Sequence, residues 1–352
     1  MSSLAESREK SIRPNGTLVL TRSEVAALLT IDECTSAVER AFNLYGEGKT
    51  QPPGVLGVHA ADGGFHIKAG ILNLDRPYFA AKVNANFPQN SVRFGLPLIQ
   101  GVIVLCDAEN GYPLALMDSI EITIQRTGAA TAVAAKYLAR PESKTLTICG
   151  CGNQGRVSLR ALHNLFPINQ VFAFDLDNSQ VETFVTELSG ETRATVIPTS
   201  ELEEAVTKSD LVVTCTPAKQ FFLKEASVRP GTFIAAVGAD SEDKQELEPA
   251  LLSGSKVVVD ILAQAASIGE LHHAIDLGLM TKNDVYGELG EIVAGRKSGR
   301  SSPAEIIIFD STGMALQDVI VAAAVYEKAA RNGLGELIDF GGVIPSAKDY
   351  DH

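Results

Sequence analysis

The stretch "TICGCGNQGR", residues 147–156, restricts the fold more than any other part of the chain. An apolar run enters it, Gly150, Gly152 and Gly155 punctuate it, and the helix-compatible segment "QGRVSLRALHNLF" leaves it. In a strand–turn–helix unit the first glycine permits a tight turn and the second lets a pyrophosphate approach the backbone. The third lets helix and strand pack closely. The helix N-terminus then turns partial positive charge toward phosphates. A second apolar run, "QVFAFDLD", carries Asp175, 20 residues beyond Gly155. An acid there accepts hydrogen bonds from a ribose 2′-hydroxyl and repels a 2′-phosphate, and Leu176 supplies no cation. The motif therefore implies NAD as cofactor in preference to NADP. A glycine corner without a ligand is the alternative, and Asp177 competes with Asp175 for the ribose.

The surrounding grammar is β-α-β. From residue 144 the runs "TLTICG", "QVFAFDLD", "ATVIPT", "LVVTCT", "TFIAAVGA", "KVVVDI" and "EIIIFDST" read as strands, most of them separated by helix-compatible segments. Near-continuous Val, Ile and Phe indicate strands buried on both faces of a parallel sheet. Residues 51–118 differ. "VLGVHA", "FHIKAGIL", "YFAAKVNANF", "IQGVIVLCDA" and "YPLALMD" are short runs parted by turn signals such as "DGG" and "ENG", which reads as antiparallel strands and hairpins. "IDECTSAVERAFNLYGEG" and the Ala-rich "SIEITIQRTGAATAVAAKYLAR" read as helices, the second ending before Pro141. A last helix, "GMALQDVIVAAAVYEKAARNG", must pack outside the parallel sheet.

Bulk properties narrow the partners. The net charge of −13 argues against nucleic acid or an anionic membrane surface as a partner, since both require a basic patch. No apolar run is long enough to span a bilayer. The opening "MSSLAESREKSIRPNG" lacks the apolar core of a secretion signal and reads as a loosely attached leader over residues 1–16. Five cysteines (Cys34, Cys106, Cys149, Cys151, Cys215), four of them inside apolar runs, read as reduced core thiols of a cytoplasmic protein. His66, His163, His272 and His273 show no metal-ligand spacing and read as structural or solvent-facing, so no metal is expected.

Several stretches together resemble the ornithine cyclodeaminase and mu-crystallin family. They are "YFAAKVNANFPQN", "GVIVLCDAENGYPLALMDS", "ITIQRTGAATAVAAKYLAR", "ICGCGNQGR", "AVGADSEDKQEL", "YGELGEIVAG" and "IFDSTGMALQD". The resemblance spans nearly the whole chain. It implies an α/β fold in which a Rossmann-type doubly wound parallel sheet (residues 126–314) joins an antiparallel α+β dimerisation domain (residues 1–125 plus 315–352), assembled as a homodimer. It also implies work on an amino acid or its imine against a nicotinamide. Lys82 and Arg126 fall where the family holds the substrate carboxylate, a task suited to a point charge and a guanidinium fork. A strand-edge lysine and a surface ion pair are the plain alternatives. Asp240 matches the family's catalytic acid, and a carboxylate there can move protons at the amine or at an attacking water. Capping a helix over "EDKQELEPALL" is its alternative. Val237, Gly238, Lys244, Ser311, Thr312 and Gly313 resemble the family's nicotinamide lining. Thr127, Asn153, Gln154 and Thr216 fall near the phosphates, ribose or adenine, with Thr216 equally readable as a strand-end residue.

Two departures bear on substrate. The family's Arg after a "QP" pair is replaced in "QPPGVLG", which puts Gly54 there. The cyclodeaminases' Glu before a Met-Pro pair, which receives a distal ammonium, falls in "FHIKAG", where Lys68 or a neighbour stands. Lys68 thus joins the candidate carboxylate ligands and would repel a diamino acid, unless it is merely exposed on its strand. The expected activity is an NAD(P)-dependent oxidoreductase interconverting a small amino acid with its 2-oxo or imino acid. A cyclodeaminase-type lyase using the same residues is the alternative, and a non-catalytic small-ligand binder is a third.

Overall fold

A computed structural model describes residues 16–340. The leader expected over residues 1–16 lies outside the described residues except for Gly16, as does the end of the chain beyond residue 340. Two large sheets organise the molecule. The first has seven strands in the spatial order Glu336–Ile338, Thr17–Leu20, Pro113–Asp118, Ile99–Asp107, Pro77–Asn86, Gly63–Asn73, Gly54–Ala60. All its neighbours are antiparallel except Thr17–Leu20 and Pro113–Asp118, which run parallel. Neither Thr17–Leu20 nor Glu336–Ile338 is legible in the sequence. Four and three residues are too few to show alternation, and each strand exists by pairing with the other end of the chain.

The second sheet has eight strands, all parallel. Counted in chain order from Thr145–Cys149, its first five lie in the order 3-2-1-4-5. The order reverses between Thr145–Cys149 and Leu211–Thr214, and a doubly wound sheet binds its ligand at the carboxyl ends of the strands there. Leu211–Thr214, Phe233–Ala236 and Ile307–Asp310 are buried at every residue, as strands covered on both faces must be. A small parallel pair, Lys219–Leu223 with Gln245–Leu247, stands apart.

Two long helices connect the layers. Ser119–Leu138 starts where Asp118 accepts hydrogen bonds from the Ile120 and Glu121 amides at 2.9 and 3.3 Å. Its Ala-rich surface is buried almost throughout, against Ile31–Gly46 on one side and Asn153–Leu165 on the other. The boundary drawn from sequence between residues 125 and 126 falls inside this unbroken helix. Ala315–Asn332 lies on strands Gly63–Asn73 and Pro77–Asn86 of the antiparallel sheet, which gives the last helix its place outside the parallel sheet. One continuous hydrophobic core takes Phe42 and Ile103 from the first layer together with Leu146 and Phe309 from the second. Among the described residues no helix is long and apolar enough to cross a membrane, and all five cysteines are free thiols.

Helices Ser119–Leu138 and Asn153–Leu165 meet closely at Gly128, where a Cβ would lie 2.8 and 2.9 Å from the two methyls of Val157. Helix Ser119–Leu138, which carries Arg126, is thereby held against the helix that follows the glycine loop. Gly128→Ala is expected to cost about 1–3 kcal/mol through overpacking, despite alanine's better helix propensity. Urea unfolding measures it, and an unchanged midpoint would show that the two helices separate without penalty.

Candidate active site

The three glycines take three different parts. Gly150, directly after strand Thr145–Cys149, has φ +105°, and a Cβ there would lie 3.0 Å from the Cys215 carbonyl. Gly155 packs on the carbonyl of Gly150, and its Cβ would come within 2.9 Å of Ile148. A Cβ on Gly152, by contrast, would meet no atom within 4 Å. The turn thus needs one glycine, the helix–strand contact needs another, and the third faces open space where a phosphate fits. Helix Asn153–Leu165 begins there with no side-chain cap on its first amides, leaving them free for an anion. Asn153 is exposed at this helix start, and the buried Oε1 of Gln154 has no partner among the described residues.

Asp175 belongs to the same loop. Its Oδ2 accepts from the Cys151 amide at 2.8 Å and its Oδ1 from the Asp177 amide at 3.0 Å. Asp177 instead caps helix Asn178–Glu191 through the Ser179 amide at 2.9 Å, so it is committed elsewhere. The Thr127 hydroxyl donates to the Thr123 carbonyl at 2.8 Å within its own helix. Thr216 turns its amide and hydroxyl into the Glu246 carboxylate, at 2.6 and 2.7 Å, and leaves its methyl beside Gly150. A donor role for that hydroxyl toward a phosphate does not fit this arrangement.

Glu246 is one of four fully buried acids along the carboxyl edge of the parallel sheet: Glu246, Asp260, Glu270 and Asp310. Glu246 also accepts from the Gly238 amide, the residue after Val237, at 3.1 Å. Glu270 accepts from the Glu246 and Leu247 amides at 2.7 and 3.1 Å, and Asp310 from the Leu271 amide at 2.9 Å. Burial pushes Glu246 and Glu270 above the usual carboxylate range and raises Asp310 to about 7. Each acid satisfies backbone amides of the loops, strand or helix start beside it.

Three cations meet where the two sheets face each other. Lys68 and Lys82 are opposite residues on paired strands, so both project from one face of the antiparallel sheet. The Lys68 ammonium donates to the carbonyls of Thr312 and Gly313 at 2.7 and 2.8 Å, in the loop after strand Ile307–Asp310. Lys82 reaches both carboxylate oxygens of Asp318, at 2.9 and 2.8 Å. The Arg126 Nε lies 3.4 Å from the same carboxylate, and its Nη1 donates to Gln317 at 3.2 Å. The Arg126 guanidinium also lies over Gly313, where a Cβ would come within 2.7 Å of Nη1. All four charged groups are buried. Burial, reinforced by Arg126 and Lys68, outweighs the attraction of Asp318 and brings the Lys82 ammonium down to about 7. Burial likewise lowers Lys68. Asp318 goes the other way: burial opposes its ionised form, yet Lys82 and Arg126 hold it below the usual range.

Asp240 lies in the loop after strand Phe233–Ala236, half-exposed, and accepts from the Lys244 ammonium at 2.6 Å. Desolvation opposes its charge, but Lys244 and Lys68 keep it below the ordinary carboxylate range. No helix follows it. The next elements are strand Gln245–Leu247 and a helix that begins at Pro249, so Asp240 is not a helix cap. His66 is half-buried on the face of Lys68, with Asp240 and Lys244 acting on it, and burial lowers its pKa. His272 and His273 stack at 3.8 Å, and their rings bond the carbonyls of Gly269 and Lys244 at 2.7 and 2.8 Å.

The ornithine cyclodeaminase/mu-crystallin family model matches residues 15–333. The chain belongs to that family. Among solved structures it is similar to an archaeal alanine dehydrogenase dimer with bound NAD, at 40% identity and a TM-score of 0.88 over 92% of this chain and 99% of that one. It is also similar to the Δ1-pyrroline-2-carboxylate reductase of Thermococcus litoralis in complex with NADH and L-proline (34% identity, TM-score 0.87, 92% of this chain and 100% of that one). The iminosuccinate reductase of Paracoccus denitrificans in complex with NAD+ follows (32%, TM-score 0.83, 92% and 99%).

The strand register fixes which face each residue near Gly54 presents. Gly54 pairs with Ala69, so a side chain there would leave the sheet on the face opposite Lys68. Val55, the partner of Lys68, projects on the Lys68 face and lines a cavity of about 580 Å³ with Ile261 and Gln264. The sequence reading also missed Asp318, Gln317 and the four edge acids. Asp260 and Asp310 close the apolar runs "KVVVD" and "IIIFD", and Asp318 interrupts "ALQDVIV". An acid inside an otherwise buried pattern is the signal that marks them.

The lowered Lys82 has a sign that can be checked. Only the ammonium attracts a carboxylate, and that form is lost as pH rises through about 7. The pH profile of kcat/KM reports groups of the free enzyme. It should therefore fall above about 7, and Lys82→Arg should carry that limb to higher pH because a guanidinium does not titrate there. An unmoved limb would assign it to another group.

Proposed function

We propose that the protein is an NAD-dependent oxidoreductase that interconverts a small amino acid with its 2-oxo or imino acid. The observation that carries this reading is the convergence of Lys68, Lys82 and Arg126 on one cleft, facing Asp240 at the carboxyl edge of a dinucleotide-type sheet. Arg126 offers a fork and Lys82 a point charge to an α-carboxylate, and Asp318 pairs with both and aims them. Fixing the carboxylate fixes the α-carbon toward the glycine-loop side of the cleft. NAD(H), when bound, supplies or accepts the hydride at that carbon. Gly150, Gly152, Gly155 and the first amides of helix Asn153–Leu165 would hold its pyrophosphate, and Asp175 its adenosine ribose. Asp240, kept ionised by Lys244, takes a proton from the substrate nitrogen or from the water that attacks the iminium carbon, and returns it in the reductive direction. The alanine, proline-related and iminosuccinate chemistry named for the similar structures supports this reading.

The deciding experiment incubates the protein with NADH and a panel of 2-oxo acids plus ammonia or methylamine, and with cyclic imines. Loss of NADH absorbance with a small or acidic substrate is the expected result. In parallel, ornithine is offered with NAD and ammonia is measured. Ornithine's distal ammonium would meet Lys68, and two like charges about 4 Å apart repel by about 4 kcal/mol at an effective dielectric near 20. Ornithine should therefore be a poor substrate. Efficient ammonia release without net NADH change would make the protein a cyclodeaminase, and saturable binding with no turnover would make it a binding protein. Asp175→Ala should weaken NAD and narrow its lead over NADP in fluorescence titrations, whereas an unchanged preference removes Asp175 from the ribose site.

A homodimer is part of the same reading. Strand Gly54–Ala60 is an edge strand exposed at every residue, and it carries Leu56 and Val58. Phe94, Leu96, Leu98 and Ile99 add exposed apolar surface on the same sheet layer. Such an edge calls for cover. Sedimentation at micromolar concentration should show a dimer that Leu56→Asp weakens, and a stable native monomer would contradict it.

A further inference from the structure

Lys68 and Arg126 both rest on one short loop, Ser311 to Gly313, which leaves the parallel sheet after strand Ile307–Asp310. Successive carbonyls of an extended chain point to opposite sides. Here the carbonyls of Thr312 and Gly313 converge on one ammonium, at 2.7 and 2.8 Å. The turn that brings them together is Gly313, with φ +86°. The same glycine lies against the Arg126 guanidinium, with no room for a Cβ. Beyond the Ser311 amide, which donates to the Ala236 carbonyl at 2.9 Å, what shapes this loop is a side chain from the neighbouring strand. Asp260, fully buried at the end of strand Lys256–Val259, accepts from the Gly313 amide at 2.6 Å, from the Thr312 hydroxyl at 3.1 Å and from the Ser311 hydroxyl at 3.3 Å. Its own end is anchored by the Ile261 amide at 2.7 Å.

We propose that Asp260 is a positioning residue for the substrate cations, its carboxylate holding the Ser311–Gly313 loop in the one shape that seats the Lys68 ammonium and backs the Arg126 guanidinium. Asp260 makes no contact with substrate in this role and acts through the loop. It is also one of the anions that favour the charged form of Lys68. This inference rests on the amino acid oxidoreductase reading for the identity of the ligand, but not for the geometry.

The test is Asp260→Asn, which keeps the size of the side chain but replaces one accepting oxygen with a donor. Two measurements are made on the full chain. In the first, KM for the best substrate should rise about tenfold or more, as loss of a charge-assisted hydrogen bond implies, while the NADH dissociation constant stays near native. A double-mutant cycle with Lys68→Met should show that Asp260→Asn costs much less once Lys68 is gone, since the two act in series. A purely structural role would cost the same in both backgrounds and weaken NADH and substrate together. In the second, an amine-directed acylating reagent is read by mass spectrometry at Lys68 and Lys82. Asp260→Asn should expose Lys68 to labelling and leave Lys82, which is anchored by Asp318, unchanged. That readout needs no turnover. If the native protein reduces no imine or oxo acid, the oxidoreductase reading falls while the labelling still decides Asp260. Should Asp260→Asn fail to fold, Thr312→Val removes the 3.1 Å bond to Asp260, with a longer one of 3.4 Å to Gln264, and leaves the Gly313 amide bond to Asp260 in place; it should shift labelling and KM in the same direction by less. Unchanged Lys68 labelling, or a KM that moves in step with NADH affinity, would overturn the proposal.

Discussion

Three cations are buried in one cleft, and the burial of Lys68, Lys82 and Arg126 has to be compensated before anything else about the molecule can hold. An unpaired buried charge costs several kcal/mol, comparable with the net stability of a whole domain. The compensation comes from both layers. Asp318, from the helix that covers the antiparallel sheet, touches Lys82 and Arg126. The carbonyls of Thr312 and Gly313, from the parallel sheet, receive Lys68. Neither layer satisfies the cluster alone, so the charges that suit a carboxylate substrate are also what registers the two sheets against each other.

Such a cluster is poised rather than neutral. It has more positive than negative charge in direct contact, and burial already lowers both lysines. A carboxylate entering the cleft supplies the missing negative charge in a place where water screens little. Binding and protonation are then coupled, with the entering anion favouring the ammonium forms. Asp240 faces this cluster from a more open position, half-exposed and paired with Lys244, where a proton can be taken up or released to solvent. The cleft therefore separates a buried holding function from a more accessible proton-moving one.

The glycine loop and the cation cluster are linked by helix Ser119–Leu138. It carries Arg126 into the cleft and packs through Gly128 on the helix that starts at Asn153. Along the carboxyl edge of the sheet, Glu246, Glu270, Asp310 and Asp260 tie the loops after the strands, strand Gln245–Leu247 and helix Glu270–Asp276 to one another by accepting backbone amides. Their burial, with few cationic partners, makes them costly unless every oxygen is used or protonated. The edge that faces a ligand is in this way fixed from behind by groups that never reach it.

The glycine spacing, the apolar runs and the acid at Asp175 were enough to specify a parallel dinucleotide-type sheet, because tight turns, strand burial and ribose recognition each demand particular residues at short range. Lys82, Arg126 and Asp240 were singled out through the resemblance, and the fold brings Lys82 and Arg126 together on Asp318 and pairs Asp240 with Lys244. Other features depended on distant pairing. Strands Thr17–Leu20 and Glu336–Ile338 form from opposite ends of the chain. The strand register puts Val55 rather than Gly54 on the face of Lys68, and a slip of one residue, invisible in the sequence, reverses the face of a side chain. Asp318 and Asp260 look in sequence like acids misplaced among apolar residues. Only the folded chain shows which cations and amides they satisfy, because those partners come from segments that local pattern does not bring together.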